Sequence, residues 1–471
     1  MKTIRFLTRV SVITGLLVAG VETSADWLRF RGPNGTGVSA DDKAPPVKWS
    51  DTENVKWKVS LPGPGSSGPI VVGEKVFVTY WSGYGVDPED RGDMADLAIH
   101  LRCVDRRSGQ TLWDRSVKAK LPEQEYGGMF AQHGYASHTP VSDGERVYAF
   151  FGKTGVYAYD LEGKELWKAD VGSDLDGRGW GSAASPILTD SGLVVTASVE
   201  NHAMVSFNKK TGAQQWIQEA EGFGSTWGTP VVVGKGEDQE VVVGVPGEIW
   251  GLNAKTGKLR WYSEGLRGNS MTSSVVPVGN SVLASGDRGG GTRVVKAGGK
   301  GDVSESHIAW TGKDGGNITS PLVYEGRFYF VKSSIVNCRD ATTGEEIYSE
   351  RLPGGAATER GRGVGARSQG GRPGGNYTPG QGPGGGGGGG GRRGGGGRFG
   401  SPDYASPVAA GGYLFQLTGK GETIVIKMGD QFDLVSRNSF ASDSSNFSGT
   451  PAISRGQLFI RSYKNLYCIE E

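Results

Sequence analysis

Cysteine is scarce in this chain, three in 471 residues, and no two are adjacent. An excess of charge of either sign is also lacking, with 51 Lys and Arg against 50 Asp and Glu. That balance excludes a global basic field drawing the protein onto nucleic acid or anionic membrane. Beyond the N-terminus no apolar run approaches about 18 residues, so no membrane-spanning helix is expected. Neither Gly-x-Ser-x-Gly nor His-Glu-x-x-His occurs, which removes the serine-hydrolase elbow and the zinc-protease pair. His133 and His138 flank Tyr135 without a third ligand at regular spacing, so they make no zinc site. Gly152-Lys153-Thr154 looks like the end of a phosphate loop, but Val147 stands where its first Gly should be. Asp87, Glu89, Asp90, Asp93 and Asp96 read as a solvated acidic loop. No catalytic and no metal-ligating residue is assigned.

What the chain has in quantity is glycine: 81 residues, with 36% hydrophobic and 9% aromatic content. The apolar mass is enough for a large core, and glycine spread at this density means many tight turns. One segment is different. Residues 354–400 hold 24 Gly and seven Arg against the single acid Glu359, a composition that cannot offset the entropy of ordering, and are expected to be a disordered insertion.

Residues 1–25 read as a signal peptide: Lys2, Arg5 and Arg9, an apolar run from Val10 to Gly20, and Thr23-Ser24-Ala25 as the cleavage site before Asp26. A periplasmic or secreted protein is expected, and no Cys follows the apolar run to carry a lipid. The cysteines recur in one local pattern, Cys103-Val-Asp, Cys338-Arg-Asp and Cys468-Ile-Glu. Equivalent positions in different copies of a repeat lie apart, so free buried thiols are expected, with a Cys103–Cys468 bridge as the alternative.

The repeat itself has two signatures. The first is Asp or Asn, a turn with Gly, then an aromatic eight residues on: Asp105 to Trp113, Asn208 to Trp216, Asn253 to Trp261 and Asp340 to Tyr348, with Asp160 to Trp167 one shorter. This is hairpin chemistry, in which the side-chain oxygen satisfies turn amides and Gly takes the left-handed position. Trp57 and Trp310 occupy the same class of position. The second signature is a small residue, Pro and a short apolar strand, at Pro69, Pro140, Pro186, Pro230, Pro321, Pro407 and Pro451, while Ser273-Ser274-Val275 lacks the Pro. Four short strands in each unit of roughly 44–54 residues, eight times over, predict an all-β, eight-bladed β-propeller of four-stranded antiparallel blades. The outer strands are those at Trp57, Trp113, Trp167, Trp216, Trp261, Trp310 and Tyr348 and near Phe432–Val435. Since the chain ends one strand short, Asn54–Ser60 is expected to pair with the C-terminal strand and close the last blade. The propeller then covers 26–353 and 401–471, with 354–400 inserted between blades six and seven.

The repeated Asn208-Lys-Lys-Thr211-Gly212-Ala-Gln-Gln-Trp216 and Asn253-Ala-Lys-Thr256-Gly257-Lys-Leu-Arg-Trp261 resemble the tryptophan-docking repeat of the pyrroloquinoline-quinone-type (PQQ-like) propellers. The opening Asp26-Trp27-Leu-Arg-Phe30-Arg31-Gly32-Pro33 looks like the start of exported bacterial members of that superfamily. The resemblance implies docking of each Trp between neighbouring blades. It also implies two functional classes: quinoprotein dehydrogenases, and inert scaffolds such as the propeller lipoprotein of outer-membrane β-barrel assembly. Trp227 resembles the position from which a dehydrogenase Trp stacks under the quinone, and Trp180 sits at the same point of the preceding blade, which favours channel lining. The cysteine clamp that many dehydrogenases carry is missing. The expectation is a monomeric, non-catalytic binding or assembly scaffold without cofactor. Its protein, small-molecule or polymer ligand would bind at a channel mouth lined by Tyr135, His138, Trp180, Trp227, Asn269, Asn317, Tyr404 and Phe447. The alternative is a PQQ- and Ca²⁺-dependent alcohol or sugar dehydrogenase of the polyvinyl-alcohol type.

Overall fold

The computed structural model describes residues 26–41, 43–87, 89–313, 318–332, 334–353 and 403–471. The signal-peptide region, the 354–400 segment and Asn317 lie outside them. Blade 1 shows the plan. Ile70–Val72, Lys75–Ser82, Ala98–Asp105 and Thr111–Lys118 pair antiparallel in that order from the channel outward. The inner three are apolar and buried on both faces, whereas Thr111–Lys118 exposes most of its residues and buries Trp113. A strand flanked by other blades on both sides has no water-facing side, so its sequence does not alternate. The hydrophobic core accordingly lies between blades: Phe77, Cys103 and Trp113 of blade 1 share a cluster with Val147, Ala149 and Tyr159 of blade 2.

Eight such sheets form among the described residues. The last is closed as the sequence implies. Val55–Ser60 pairs antiparallel with Asn465–Ile469, next to Gln457–Arg461 and Ala452–Ser454. The expected strand near Phe432–Val435 is Asp433–Asn438, the outermost of blade 7. Blade 4 departs from the plan, since Gly301–Asp302 adds a fifth strand parallel to Leu259–Glu264. No helix among the described residues is long and apolar enough to cross a membrane.

In seven blades a docking aromatic sits where the register slips by one residue. Five of the indoles lean onto the hairpin of the next blade. Trp57 Nε1 donates to Arg106 O, Trp113 to Leu161 O, Trp167 to Lys209 O, Trp216 to Ala254 O and Trp310 to Ala341 O, at 2.8–3.1 Å. The turn glycine makes this approach possible: Gly212 has φ +71°, and a Cβ there would lie 2.6 Å from the Trp167 ring. All three cysteines are free and buried. Cys103, Cys338 and Cys468 are the cross-strand partners of Trp113, Tyr348 and Trp57, a position held by Ala158, Ser206, Gly251 and Val294 opposite the other indoles. Burial pushes their thiols up to about 12, 11 and 12.

Candidate functional site

The innermost strands are sheet edges facing the channel, and the small-Pro motif starts most of them. Proline suits an edge, because it removes a donor that would face no partner. The small residue before it does something the sequence does not announce. Gly68 N–H donates to Thr139 Oγ1, Thr139 N–H to Ser185 Oγ, Ser185 N–H to Thr229 Oγ1 and Thr229 N–H to Ser274 Oγ. The chain continues from Ser274 N–H to Ser320 Oγ, from Ser320 N–H to Ser406 Oγ and from Ser406 N–H to Thr450 Oγ1, all at 2.8–3.1 Å. Seven links run one way around the axis, and the eighth is missing because Gly68 has no side chain. A Cβ on Gly68 would lie 2.7 Å from Thr450 O, so the gap is steric. Across that seam Arg461 takes over, its Nη1 donating to Thr79 O at 2.6 Å and to Ser67 Oγ at 3.1 Å.

Asp26–Ser39 runs across the channel axis. Trp27 exchanges two backbone bonds with Val71 of blade 1, Ser142 N–H of blade 2 donates to Leu28 O, and Ser39 N–H donates to Ala409 O of blade 7. Arg29 Nη2 donates to Pro230 O at 2.8 Å and Arg31 Nη2 to Pro321 O at 2.5 Å, so the edge carbonyls of blades 4 and 6 receive the two guanidiniums. Both arginines are buried without an acid partner, and desolvation lowers them to about 10 and about 9.

Above this segment a cavity opens along the axis. Phe30, Trp180, Trp227 and Tyr404 supply its aromatic wall and the hydroxyl belt its polar waist. Trp180 and Trp227 are 5.3 Å apart at 39°, and the Arg178 guanidinium lies 5.3 and 5.0 Å from their rings. Trp227 Nε1 donates to Gly181 O at 2.6 Å. Among the described residues, the cavity's ionisable groups besides Tyr404 are His133 and Asp287. His133 Nε2 bonds Trp180 O at 2.6 Å and Nδ1 bonds Ser137 Oγ at 2.5 Å. A carbonyl only accepts, so Nε2 carries the proton, and burial lowers the ring's pKa. Asp287 accepts from Ser270 Oγ, Thr272 N–H and Thr272 Oγ1 at 2.6–3.0 Å.

Of the residues expected at the mouth, Trp180, Trp227 and Tyr404 thus line this cavity. Tyr135 and His138 line a second, lateral cavity instead. Phe447 is buried in the core shared by blades 7 and 8, and Asn269 is exposed. Sequence reasoning missed the belt, Arg29, Arg31 and Asp287. The recurrence of Ser or Thr before Pro was the signal for the belt.

Residues 99–350 match the family model described as outer membrane protein assembly factor BamB. A protein of that description from Burkholderia pseudomallei is 24% identical over 199 residues, so the alignment spans 42% of this chain and 42% of that relative. Among solved structures, BamB from Moraxella catarrhalis is similar with TM-score 0.56 at 10% identity, over 88% of this chain and 99% of that one. A europium-containing methanol dehydrogenase gives 0.59 at 12%, over 94% and 98%. Quinohemoprotein alcohol dehydrogenase from Comamonas testosteroni gives 0.60 at 10%, over 94% and 80%. Structural likeness at these identities shows the fold.

Proposed function

Because this chain belongs to the family described as outer membrane protein assembly factor BamB, we propose that it is an exported, periplasmic propeller scaffold. It holds a protein or polymer ligand at the open channel mouth and carries out no chemistry on it. The observation that carries the reading is the cavity's lining, an aromatic wall and a belt of hydroxyls in which His133 and Asp287 act as fastenings. Both nitrogens of His133 and both oxygens of Asp287 are engaged in bonds that hold the wall. What remains available is aromatic surface and hydroxyl, which suits binding.

The quinone alternative meets the same wall. A calcium-bound tricarboxylate asks for several converging oxygen ligands. Among the described residues Asp287 is the one carboxylate that lines the cavity, and no three His, Cys, Asp or Glu gather for a metal. The stacking face of Trp227 is turned to Trp180 and Arg178. These residues do not fit the group. The test adds PQQ with Ca²⁺ to purified protein and follows binding and dye reduction with alcohols and aldoses. No saturable binding at micromolar concentration is expected. An isotherm that weakens in Trp227→Ala, with Ca²⁺-dependent dye reduction, would replace the scaffold by a dehydrogenase.

A further inference from the structure

Beside the channel lies the lateral cavity, which opens to solvent. Blade 2 contributes His138, Phe151 and Lys153, and the loops entering blades 2 and 3 contribute Glu123, Phe130, Tyr135, Asp174, Asp176 and Ser182. The hairpin of blade 3 contributes Glu200. Glu200, 3% exposed, is the deepest acid. Its Oε1 accepts the Ser182 hydroxyl, and its Oε2 has no hydrogen-bond partner. Ser182 has one proton and gives it to Glu200, so at 3.2 Å it accepts from His138 Nε2–H. The His138 Nδ1 lone pair is then left over, and that atom too is unpartnered.

Two buried acceptors without donors, in residues lining one cavity, call for a ligand that brings donors and positive charge. The resident cation does not answer. Lys153 Nζ donates to Pro122 O at 2.5 Å and, though its charge is felt by Glu123, it makes no direct ion pair with the acids of the cavity and does not reach Glu200. Asp176 is already satisfied by the Arg178 and Trp180 amides, and Asp174 stands exposed at the rim. A metal ion is poorly served, since no three ligating side chains converge here. An organic cation is well served, because Phe130, Tyr135 and Phe151 offer aromatic walls to its alkyl part and charge.

We propose that the lateral cavity binds a primary alkylammonium group, which Glu200 and His138 Nδ1 receive as hydrogen-bond acceptors and Glu123 holds by charge. The site is independent of the channel reading. Burial raises Glu200 to about 7, with Ser182 and the Val199 and Glu200 amides pulling the other way, and burial raises Glu123 as well. His138, lowered to about 3 by burial and by His133, stays neutral. Ammonium binding needs Glu200 ionised, so affinity rises as pH rises through 7 and falls toward pH 5.

The probe is n-butylammonium, titrated at pH 8 and constant ionic strength by calorimetry or NMR, with 1-butanol as the uncharged control. Saturable binding of the amine alone is expected, with a loss of about tenfold or more in Glu200→Gln and a smaller loss in Glu123→Gln. A buried, ionised Glu200 destabilises the fold at pH 8, so Glu200→Gln should melt no lower than wild type there. That variant therefore reports binding rather than folding. If it does not fold, the Glu123→Gln loss and the wild-type pH profile decide. Absence of saturable amine binding, equal binding of the alcohol, or a pH-independent affinity that neither substitution changes would overturn the proposal.

Discussion

Ser185 shows how much one hydroxyl can hold. Its oxygen is the acceptor for the buried Thr139 amide, and its own amide is tied to Thr229. Ser185→Ala leaves the Thr139 N–H buried without a partner, which costs about 1–3 kcal/mol. Ser185→Thr keeps the acceptor and should restore most of that loss, as read by chemical denaturation. A Ser185→Ala variant as stable as wild type would show that the belt contributes nothing net. The belt positions were legible as small residues before Pro, but their partners lie a whole blade away, and no local spacing shows them. Arg29 and Arg31 are harder still. Nothing adjacent in sequence says that a guanidinium will end beside a carbonyl roughly 200 or 290 residues later.

At the level of strands and turns, the aromatic docking was legible because it repeats, and its exceptions were not. Trp261 has no ordinary turn to lean on, since blade 5 lengthens its hairpin to include Gly301–Asp302, and its Nε1 donates to Glu240 Oε2 at 2.8 Å instead. Blade 7 carries Ser436 at the docking position, opposite Val425. The receiving turn would join the third and fourth strands of blade 8, which are Asn465–Ile469 and Val55–Ser60 and are not consecutive in the chain. Trp49 packs there from outside the repeat, stacked on Phe415 at 6.4 Å. The seam turn also has its own clamp. Asp443 accepts from the hydroxyls of Ser445, Ser462 and Tyr467 and from Asn465 Nδ2, at 2.6–2.9 Å. Burial alone would raise its pKa, but these bonds hold it well below the usual carboxylate range. A lowered native pKa stabilises the fold above the unfolded value near 4, and the contribution fades as pH falls below that. Asp443→Asn should therefore lower the melting temperature at pH 7 and narrow its gap to wild type by pH 2–3. A gap that stays constant with pH would place the effect in packing.

For the molecule as a whole, eight blades and their closure followed from counting outer strands against a chain that stops one short, a global argument that local exceptions do not disturb. Deleting residues 26–60 removes Val55–Ser60, Trp49, Trp57 and both channel arginines together. It exposes the Asn465–Ile469 edge along its length. The melting temperature should fall far more than in Ser185→Ala, and a truncated protein melting with wild type would refute the closure.

A ring fastened by its own two ends also has an order of assembly in time. The chain emerges from synthesis N-terminus first. Val55–Ser60 is therefore among the earliest strands made, and its partner, Asn465–Ile469, is among the last. Lys56 meets Glu470 across 414 positions of sequence. Blades 1 to 7 find their strands close by as they form, but Val55–Ser60 must wait, unpaired, until Asn465–Ile469 has been made. Closure is then a single late event with a large loop to bring together, slow for the same reason that distant contacts slow folding in general.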